Sequence, residues 1–409
     1  MLRRVPWHGR HADPSGLYPL PAQGADLNPA RSMQFFRGIA SIRMNGYDCA
    51  LTMSLFPFRT LASCLAATLI GQHTSLEAAR PDLAAAALKP AHPAPKYATT
   101  GRVERLTPEF DSLVAPGLEM ELLAEGFDWS EGPVWIRKNR ELLFSDVPVN
   151  KVYRWTEKDG LSVALNPSGY SGQALKFREQ GSNGLTSDRG ERLLLCQHGN
   201  RQIARLEADG SFTPLAEHYQ GRRFNSPNDL CLASNGNIYF TDPPYGLEGL
   251  NQSPLKELMF NGVYLRRPSG EVVLVSRKLE FPNGIALSPD EKTLYVNQSD
   301  PKAATITAFS VLPDGTVGEG RLFFDATPRV AGNKGLPDGL KVDERGNLWT
   351  SGPGGILVIS PEGKLLGVLN TGEATANCAW GNDGRTLYIT ADSKLLRIRT
   401  QTRGANWPH

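Results

Sequence analysis

Six short segments of the chain begin with a side chain that ends in a carboxylate or amide oxygen, next to a glycine or a small apolar residue. Oxygen ligands of these two kinds are the ones that hard divalent cations such as Ca2+ prefer. If the six side chains met in space, they could hold a cation that polarises a bound carbonyl group. In chain order these head residues are Glu131, Asn183, Asn228, Asn283, Asp338 and Asn377.

Each head opens a repeated unit made of a short strand-like run, a polar turn and a second strand-like run. Asp338 precedes Trp349 by 11 residues, and Asn283 precedes Tyr295 by 12. The heads follow one another at intervals of 39 to 55 residues, which fits a four-stranded propeller blade of about 40–50 residues with loop insertions. The pattern predicts an all-β fold, a six-bladed β-propeller with a central metal site. A strand at 120–124 is predicted to complete the last blade.

The inner strands of a propeller surround its axis, so residues at one register position form a ring. Two carboxylates and four amides on that ring would be poorly satisfied without a cation. One divalent cation is therefore predicted, with Ca2+ preferred and Mg2+, Mn2+ or Zn2+ as alternatives, although no head is His or Cys. In a competing interpretation, Asn-Gly and Asp-Gly are turn dipeptides that bond to nearby backbone; the register shared by all six heads favours the ring.

The loop after each second strand should border the same site, because the hairpin returns the chain to that face. Two residues of these loops are candidates for chemistry, His198 and Tyr245. His198 suits a general base or a substrate contact, and a histidine bonded to the backbone is an equally good interpretation. Tyr245 is predicted to contact substrate.

Composition and charge are those of a soluble globular protein. A formal net charge of +2 over 409 residues gives no support to a nucleic-acid partner. No apolar run in the body reaches the roughly 18 residues of a spanning helix, so no membrane partner is predicted for the mature form. The five cysteines form no CxxC pair. A monomer or small homo-oligomer is expected.

The N-terminal region differs in composition from the repeats. Residues 1–52 are an unassigned leader, which an over-extended start would explain, and 53–79 resemble a signal peptide. Residues 80–117 are predicted as an Ala/Pro-rich linker, 118–403 as the propeller and 404–409 as a tail. Export to the periplasm or medium follows, or a cytoplasmic location if the segment opened by Met53 is no signal.

Four of the motifs carry a family resemblance. They begin at Ser130 (Ser-Glu-Gly-Pro-Val-Trp), Ser226 (Ser-Pro-Asn-Asp-Leu), Phe281 (Phe-Pro-Asn-Gly-Ile-Ala) and Leu336 (Leu-Pro-Asp-Gly-Leu). Together they resemble the gluconolactonase/regucalcin (senescence marker protein) family, above all its bacterial gluconolactonases. The resemblance implies a sugar-lactone hydrolase whose divalent cation is held by Glu131, Asn228, Asn283 and Asp338.

The resemblance also implies that Asn183 and Asn377 either stand in a second ring around the metal ligands or contact substrate. Ser226 stands where the animal regucalcins have a substrate-binding Arg, and Arg222 or Arg223 is a hypothetical replacement.

The predicted reaction is hydrolysis of a sugar lactone, with glucono-1,5-lactone to gluconate as the first choice. Water attacks the ring ester while the cation polarises its carbonyl, with Asp338 as first and His198 as second candidate for the base. The chain has no Gly-x-Ser-x-Gly motif, which disfavours a serine esterase. The alternatives are hydrolysis of another lactone or a phosphotriester on the same metal site, and a non-catalytic calcium-dependent binding propeller.

Overall fold

The structure is a computed structural model that describes residues 96–172 and 174–405. They form a ring of six antiparallel sheets, which confirms the predicted six-bladed propeller. Three strands precede the first complete blade in the chain: β1 (Thr99–Thr100), β2 (Arg102–Arg105) and β3 (Met120–Glu125).

Blades 1 to 3 are continuous in sequence, and the innermost strand comes first in each. Blade 1 contains β4 (Ser130–Ile136), β5 (Glu141–Asp146), β6 (Lys151–Thr156) and β7 (Gly160–Leu165). Blade 2 contains β8 (Ser182–Ser187), β9 (Leu193–Gln197), β10 (Gln202–Leu206) and β11 (Phe212–Ala216). A small hairpin follows, β12 (His218–Tyr219) and β13 (Arg222–Arg223). Blade 3 contains β14 (Leu230–Leu232), β15 (Ile238–Asp242), β16 (Gly262–Arg266) and β17 (Val272–Ser276).

The last two blades recruit strands from the start of the described chain. Blade 4 contains β18 (Pro282–Leu287), β19 (Thr293–Gln298), β20 (Thr305–Ser310) and β21 (Arg321–Asp325). Blade 5 contains β22 (Leu340–Val342), β23 (Leu348–Gly352), β24 (Gly355–Ile359), β25 (Leu365–Asn370) and, outermost, β2. Blade 6 contains β26 (Thr375–Gly381), β27 (Thr386–Ala391), β28 (Lys394–Arg399), β3 and β1. Because β3 pairs with β28, the ring closes as predicted. Short 3-10 helices cover Pro108–Ser112, Leu250–Gln252 and Thr327–Arg329.

The core lies between neighbouring blades, where large side chains of facing strands pack together. At the join of blades 1 and 6, the rings of Trp135 and Tyr388 stack with centroids 5.6 Å apart. Phe144 and Trp155 complete this cluster and are almost entirely buried. A fully buried side chain of the Phe or Leu type stabilises a fold by about 1.5–3 kcal/mol. Repeated at each join, such contacts hold the inner strands in place around the axis.

Part of the region predicted as a linker belongs to the propeller instead. Residues 99–105 supply β1 and β2, and Phe110, Leu113 and Val114 are buried against blades 5 and 6. The physical reason is that these three apolar side chains follow the Ala/Pro-rich stretch. Their burial against the blades is favourable in free energy, whereas their exposure to solvent is not. The predicted leader, the signal segment and residues 80–95 lie outside the described residues. Among the helices that are described, none combines the length and apolarity needed to cross a bilayer.

Candidate active site at the mouth of the propeller

The head residues lie where the chain enters the inner strands, and the glycine after a head is needed for close packing between blades. A Cβ atom on Gly284 would lie 2.1 Å from the carbonyl oxygen of Asp338, the head of the next blade. One on Gly132 would lie 2.1 Å from the carbonyl oxygen of Asn183. Asn283 and Gly284 are inside β18, so this Asn-Gly pair is not a turn. The heads of neighbouring blades are therefore in contact.

Backbone hydrogen bonds connect these entry points from blade to blade. Gly184 N donates to the carbonyl of Asn228 at 2.8 Å, and Gly284 N donates to the carbonyl of Asp338 at 3.0 Å. Gly339 N donates to the carbonyl of Ala376 at 2.7 Å. Because the ring is linked through the backbone, the side chains that project from it have fixed positions.

Glu131, Asn283 and Asp338 form what we call the mouth cluster, which is rich in oxygen and poor in donors. Burial, and then the carboxylate of Asp229, raises the pKa of Glu131 to about 7. Burial, and then Glu131, raises the pKa of Asp338 well above its ordinary value. Asn283 Nδ2 donates to Ser299 Oγ at 2.9 Å, whereas the buried Asn283 Oδ1 has no partner among the described residues. A buried, unpartnered carbonyl on the same ring as two carboxylates fits a cation ligand.

A second group, the channel cluster, consists of Asp229, Lys341 and Asn377. Asn377 Nδ2 donates to Glu131 Oε2 at 3.2 Å and to Asp229 Oδ2 at 3.4 Å. Asn377 Oδ1 accepts from Lys341 Nζ at 3.2 Å and from the backbone N–H of Cys378 at 2.9 Å. Burial raises the pKa of Asp229, and Lys341 opposes that rise. Polar groups in this cluster are satisfied by one another.

The charges of the two clusters indicate which ion would fit. Glu131, Asp229 and Asp338 contribute three carboxylates, and Lys341 contributes one ammonium group. When all are ionised, the charge that remains is minus two, which a divalent cation would neutralise. Buried charges are stable only when they are compensated. The residues therefore fit a divalent cation better than a monovalent one.

The predicted ligand set combines two carboxylates with two side-chain amides. Across the two described ranges, no cluster of three or more His, Cys, Asp or Glu side chains is arranged to hold a metal ion. The predicted set contains two such residues, Glu131 and Asp338, and is completed by Asn228 and Asn283. Asn228 is buried, and the hydrogen bonds of the described residues do not involve its side chain. The ligand set therefore stays a prediction.

The border of the mouth contains a charged pair beside both predicted loop residues. His198 is fully buried; its Nδ1 lies 3.3 Å from Glu179 Oε2, although neither ring nitrogen has a partner with hydrogen-bond geometry. Glu179 Oε1 forms an ion pair with Arg178 at 2.7 Å. Burial raises the pKa of Glu179, but Arg178 and His198 outweigh this effect and keep it below its ordinary value. Glu179 is thus a carboxylate that can orient the imidazole.

Tyr245 lies on the same side of the site. Its ring stacks on Phe281 with centroids 5.9 Å apart, and its buried hydroxyl has no hydrogen-bond partner within the part of the chain that the structure describes. Burial, and then the carboxylate of Asp338, raises the pKa of Tyr245, which indicates that the two side chains are close. Asn183 is also buried and its side chain makes no hydrogen bond to the described residues. These free polar groups suit a substrate with several hydroxyls.

The position that carries an arginine in animal regucalcins has a structural role here. Ser226 Oγ donates to the carbonyl of Pro243 at 2.6 Å and accepts from Gly246 N at 2.9 Å. Arg222 Nη1 donates to the carbonyl of Glu257 at 2.8 Å, and Arg223 Nη2 donates to that of Asn200 at 2.6 Å. The guanidinium next to Tyr245 belongs instead to Arg178, which donates to the Tyr245 carbonyl at 3.1 Å.

Four polar residues around the axis were missed in the sequence: Arg178, Glu179, Asp229 and Lys341. Arg178 and Glu179 are in the 166–181 loop between blades 1 and 2. The fourth strand of a blade runs toward the mouth, as the second strand does, so the loop that follows it also borders the site. The polar residues of this loop could therefore have been predicted from the sequence. Asp229 follows a head directly, and its charge next to Asn228 was a visible signal. Nothing in the local pattern marks Lys341, an alternating polar position of β22.

Comparisons with known proteins agree with this architecture. A family model described as the SMP-30/Gluconolactonase/LRE-like region matches residues 129–393. The gluconolactonase of Zymomonas mobilis is 39% identical over 318 residues, covering 75% of this chain and 88% of that protein. A gluconolactonase structure from Xanthomonas campestris aligns with a TM-score of 0.64 at 33% identity, covering 76% of this chain and 99% of that one. A calcium-binding regucalcin from Agrobacterium tumefaciens has a TM-score of 0.54, covers 68% and 94%, and at 19% identity shows the shared fold.

Proposed function

This chain belongs to the SMP-30/gluconolactonase/LRE-like family and is a lactone hydrolase, and we propose that it converts glucono-1,5-lactone into gluconate with one bound divalent cation. The observation that carries the cation is the buried Oδ1 of Asn283, which has no partner among the described residues, at the same register position as Glu131 and Asp338, whose carboxyl groups interact. The gluconolactonases among its relatives support the substrate.

Glu131, Asn228, Asn283 and Asp338 would hold the cation, with Ca2+ as the first choice for an all-oxygen ligand set. When bound, the cation polarises the lactone carbonyl and stabilises the negative charge that develops on its oxygen. The charge left by three carboxylates and one ammonium group supports an ion of charge two.

Asp338 is the first candidate for the general base. Among the described residues its carboxylate accepts no hydrogen bond from backbone or from a basic side chain, so one oxygen would hold the cation while the other stays available to accept a proton. It takes a proton from the attacking water, whose oxygen bonds to the carbonyl carbon. The ring C–O bond then breaks, and the proton passes to the departing ring oxygen to give the open-chain acid.

His198 is the second candidate for the base, or a contact to a ring hydroxyl. Glu179, at 3.3 Å from Nδ1, favours the tautomer that carries its proton on Nδ1 and leaves Nε2 as an acceptor. Tyr245 would bind a further hydroxyl through its buried hydroxyl, which has no partner among the described residues. Asn183 would bind another through a buried side chain that makes no hydrogen bond to the described residues.

The charge at the mouth supports an uncharged substrate. Arg178 is the guanidinium beside Tyr245, and it is already paired with Glu179. An anionic lactone would find no free positive side chain in this pair, because Glu179 already balances the charge of Arg178. A neutral polyhydroxylated lactone needs no such partner.

The test is a substrate panel on the full chain before chelation, after chelation, and after return of Ca2+, Mg2+, Mn2+ or Zn2+ in separate samples. The panel contains glucono-1,5-lactone, an acyl homoserine lactone and a fluorophosphate ester. We expect gluconolactone to be hydrolysed fastest, activity to disappear on chelation and Ca2+ to restore it. Activity that is indifferent to chelation would refute the cation. Cation binding without hydrolysis of any compound would favour the binding propeller.

A further inference from the structure

Asn377 occupies the same register position as Asn283, but its amide group has no free hydrogen-bonding capacity. A side-chain amide offers two N–H donors and two acceptor lone pairs. Asn377 donates to Glu131 Oε2 and Asp229 Oδ2, and it accepts from Lys341 Nζ and Cys378 N. All four bonds are internal, which leaves nothing for the predicted contact with substrate.

The surroundings fix which way the amide faces. Two donors, the Lys341 ammonium and the Cys378 N–H, lie on the side of Oδ1. Two carboxylates lie on the side of Nδ2. A flipped amide would place its oxygen against two carboxylates and its N–H groups against two donors, which would cost several hydrogen bonds in a buried site. Lys341 and Asp229 therefore hold Asn377 in one orientation.

This orientation determines how Glu131 presents its carboxylate. Glu131 is 1% exposed, and its Oε2 accepts from Gly132 N at 2.6 Å and from Asn377 Nδ2 at 3.2 Å. Both hydrogen bonds are to the same oxygen, so Oε1 is the oxygen left for a ligand. A carboxylate held by one oxygen loses less rotational freedom when the other oxygen binds a cation.

We propose that Asn377, oriented by Lys341 and Asp229, is a positioning residue that holds Glu131 Oε2 and thereby directs Oε1 to the cation. This inference rests on the proposed function, because it assumes that a cation binds at the mouth cluster. It differs from that function in what it assigns: Asn377 touches neither cation nor substrate and acts through Glu131.

The proposal is tested by measuring the Ca2+ affinity of the full-length protein with isothermal titration calorimetry. Asn377→Leu has a similar volume and lacks both donors, so we expect its Kd for Ca2+ to rise about 10–100-fold, the range known for residues that support metal ligands. The Ca2+ concentration for half-maximal lactonase activity should rise by the same factor, while kcat at saturating Ca2+ stays within a few fold of the wild type. Asn377→Ala should change the Kd in the same direction, and it decides the question if the leucine variant does not fold.

The matched control is Asn347→Leu in the hairpin between β22 and β23. Asn347 Nδ2 also donates to a buried carboxylate, Asp343 Oδ2, at 2.9 Å, at the end of β22 remote from the mouth. This variant should lose thermal stability and keep the wild-type Kd for Ca2+. Equal Kd values for Asn377→Leu, Asn377→Ala and the wild type would overturn the inference and leave the proposed function intact, and so would an equal increase in Asn347→Leu. Absence of Ca2+ binding by the wild type would overturn the cation of the proposed function and the inference with it.

Discussion

The mouth cluster and the channel cluster contain the same kinds of side chain in opposite states. Asn283 in the mouth has one hydrogen bond and an unpartnered, buried Oδ1. Asn377 has four hydrogen bonds, to Glu131, Asp229, Lys341 and Cys378. Both residues stand at the head of an inner strand. The difference shows that register brings a residue to the ring, whereas its partners decide whether it can bind a ligand.

Carboxylates show the same contrast. Asp229 has Asn377, Lys341 and the N–H of Leu230 around it. Asp338 has no such donors, and its strongest neighbour is a second carboxylate, Glu131. Since buried polar groups are normally satisfied, the excess of acceptors at the mouth is the feature that supports the proposed cation.

Removal of the free carboxylate at the mouth should have the largest effect. Asp338→Asn keeps the shape and one oxygen ligand but cannot accept a proton from water, so kcat should fall by about 10^2–10^4-fold. Lactone hydrolysis at saturating Ca2+ measures kcat, and calorimetry confirms that Ca2+ is still bound. A kcat near that of the wild type with Ca2+ bound would show that Asp338 is not the general base.

Glu131→Gln removes one of the buried carboxylates of the mouth cluster. The free energy of unfolding of this variant should therefore depend on pH differently from that of the wild type. Without a cation the folded protein holds the pKa of Glu131 at about 7, above its ordinary value of 4.5. Between these pH values the folded state binds more protons than the unfolded chain, so this residue's contribution to stability decreases as the pH rises. A shift of this size corresponds to about 3 kcal/mol.

Urea denaturation in a chelating buffer measures this effect. From pH 4.5 to pH 8, the free energy of unfolding of Glu131→Gln should increase relative to that of the wild type by up to that amount. With Ca2+ at pH 8, the wild type should become the more stable protein. A difference between the two proteins that does not change with pH would contradict the excess of charge.

Asn283→Leu separates ligand binding from stability. Because Asn283 has a single side-chain hydrogen bond, to Ser299, its loss should change the cation-free free energy of unfolding by about 0.5–1.5 kcal/mol. The Kd for Ca2+ should rise at least about 10–100-fold. Asn377→Leu, which loses four hydrogen bonds, should cost more stability than Asn283→Leu. If Asn283→Leu costs as much stability and leaves Ca2+ affinity unchanged, the mouth and the channel do not differ as described.

Asn183→Ala should have the smallest effect. Its side chain is buried and has no hydrogen-bond partner among the described residues, so stability and Ca2+ affinity should stay close to the wild type. If Asn183 contacts a hydroxyl of the lactone, KM should rise about 2–10-fold, which corresponds to one neutral hydrogen bond. Steady-state kinetics at saturating Ca2+ measure this rise. An unchanged KM would remove Asn183 from the substrate contacts.

The sequence alone determined the architecture and the positions of the heads. Strands and turns repeat locally, so the interval from Asp338 to Trp349 and its equivalents was enough to predict six blades and the strand that closes the ring. The pairs Asn283-Gly284 and Asp338-Gly339 are visible in the local sequence too. Their physical reason is a tertiary contact, because the inner strand of the next blade packs directly on the glycine. The predicted linker, 80–117, extends too far. Its Ala/Pro-rich composition gave no sign that Phe110, Leu113 and Val114 pack on distant strands.

Which heads have an oxygen without a hydrogen-bond partner depends on contacts between parts of the chain that are far apart in sequence. Asn377 meets Glu131 across 246 positions of the chain and Asp229 across 148, and no local period links these residues. The position of Glu179 next to His198 likewise depends on a tertiary contact, between the loop before β8 and the end of β9. A repeat places equivalent residues on a ring, but the partners of each depend on what the other five blades bring to the axis. The division between a mouth with an unpartnered oxygen and a channel whose polar groups satisfy one another is therefore a property of the closed ring.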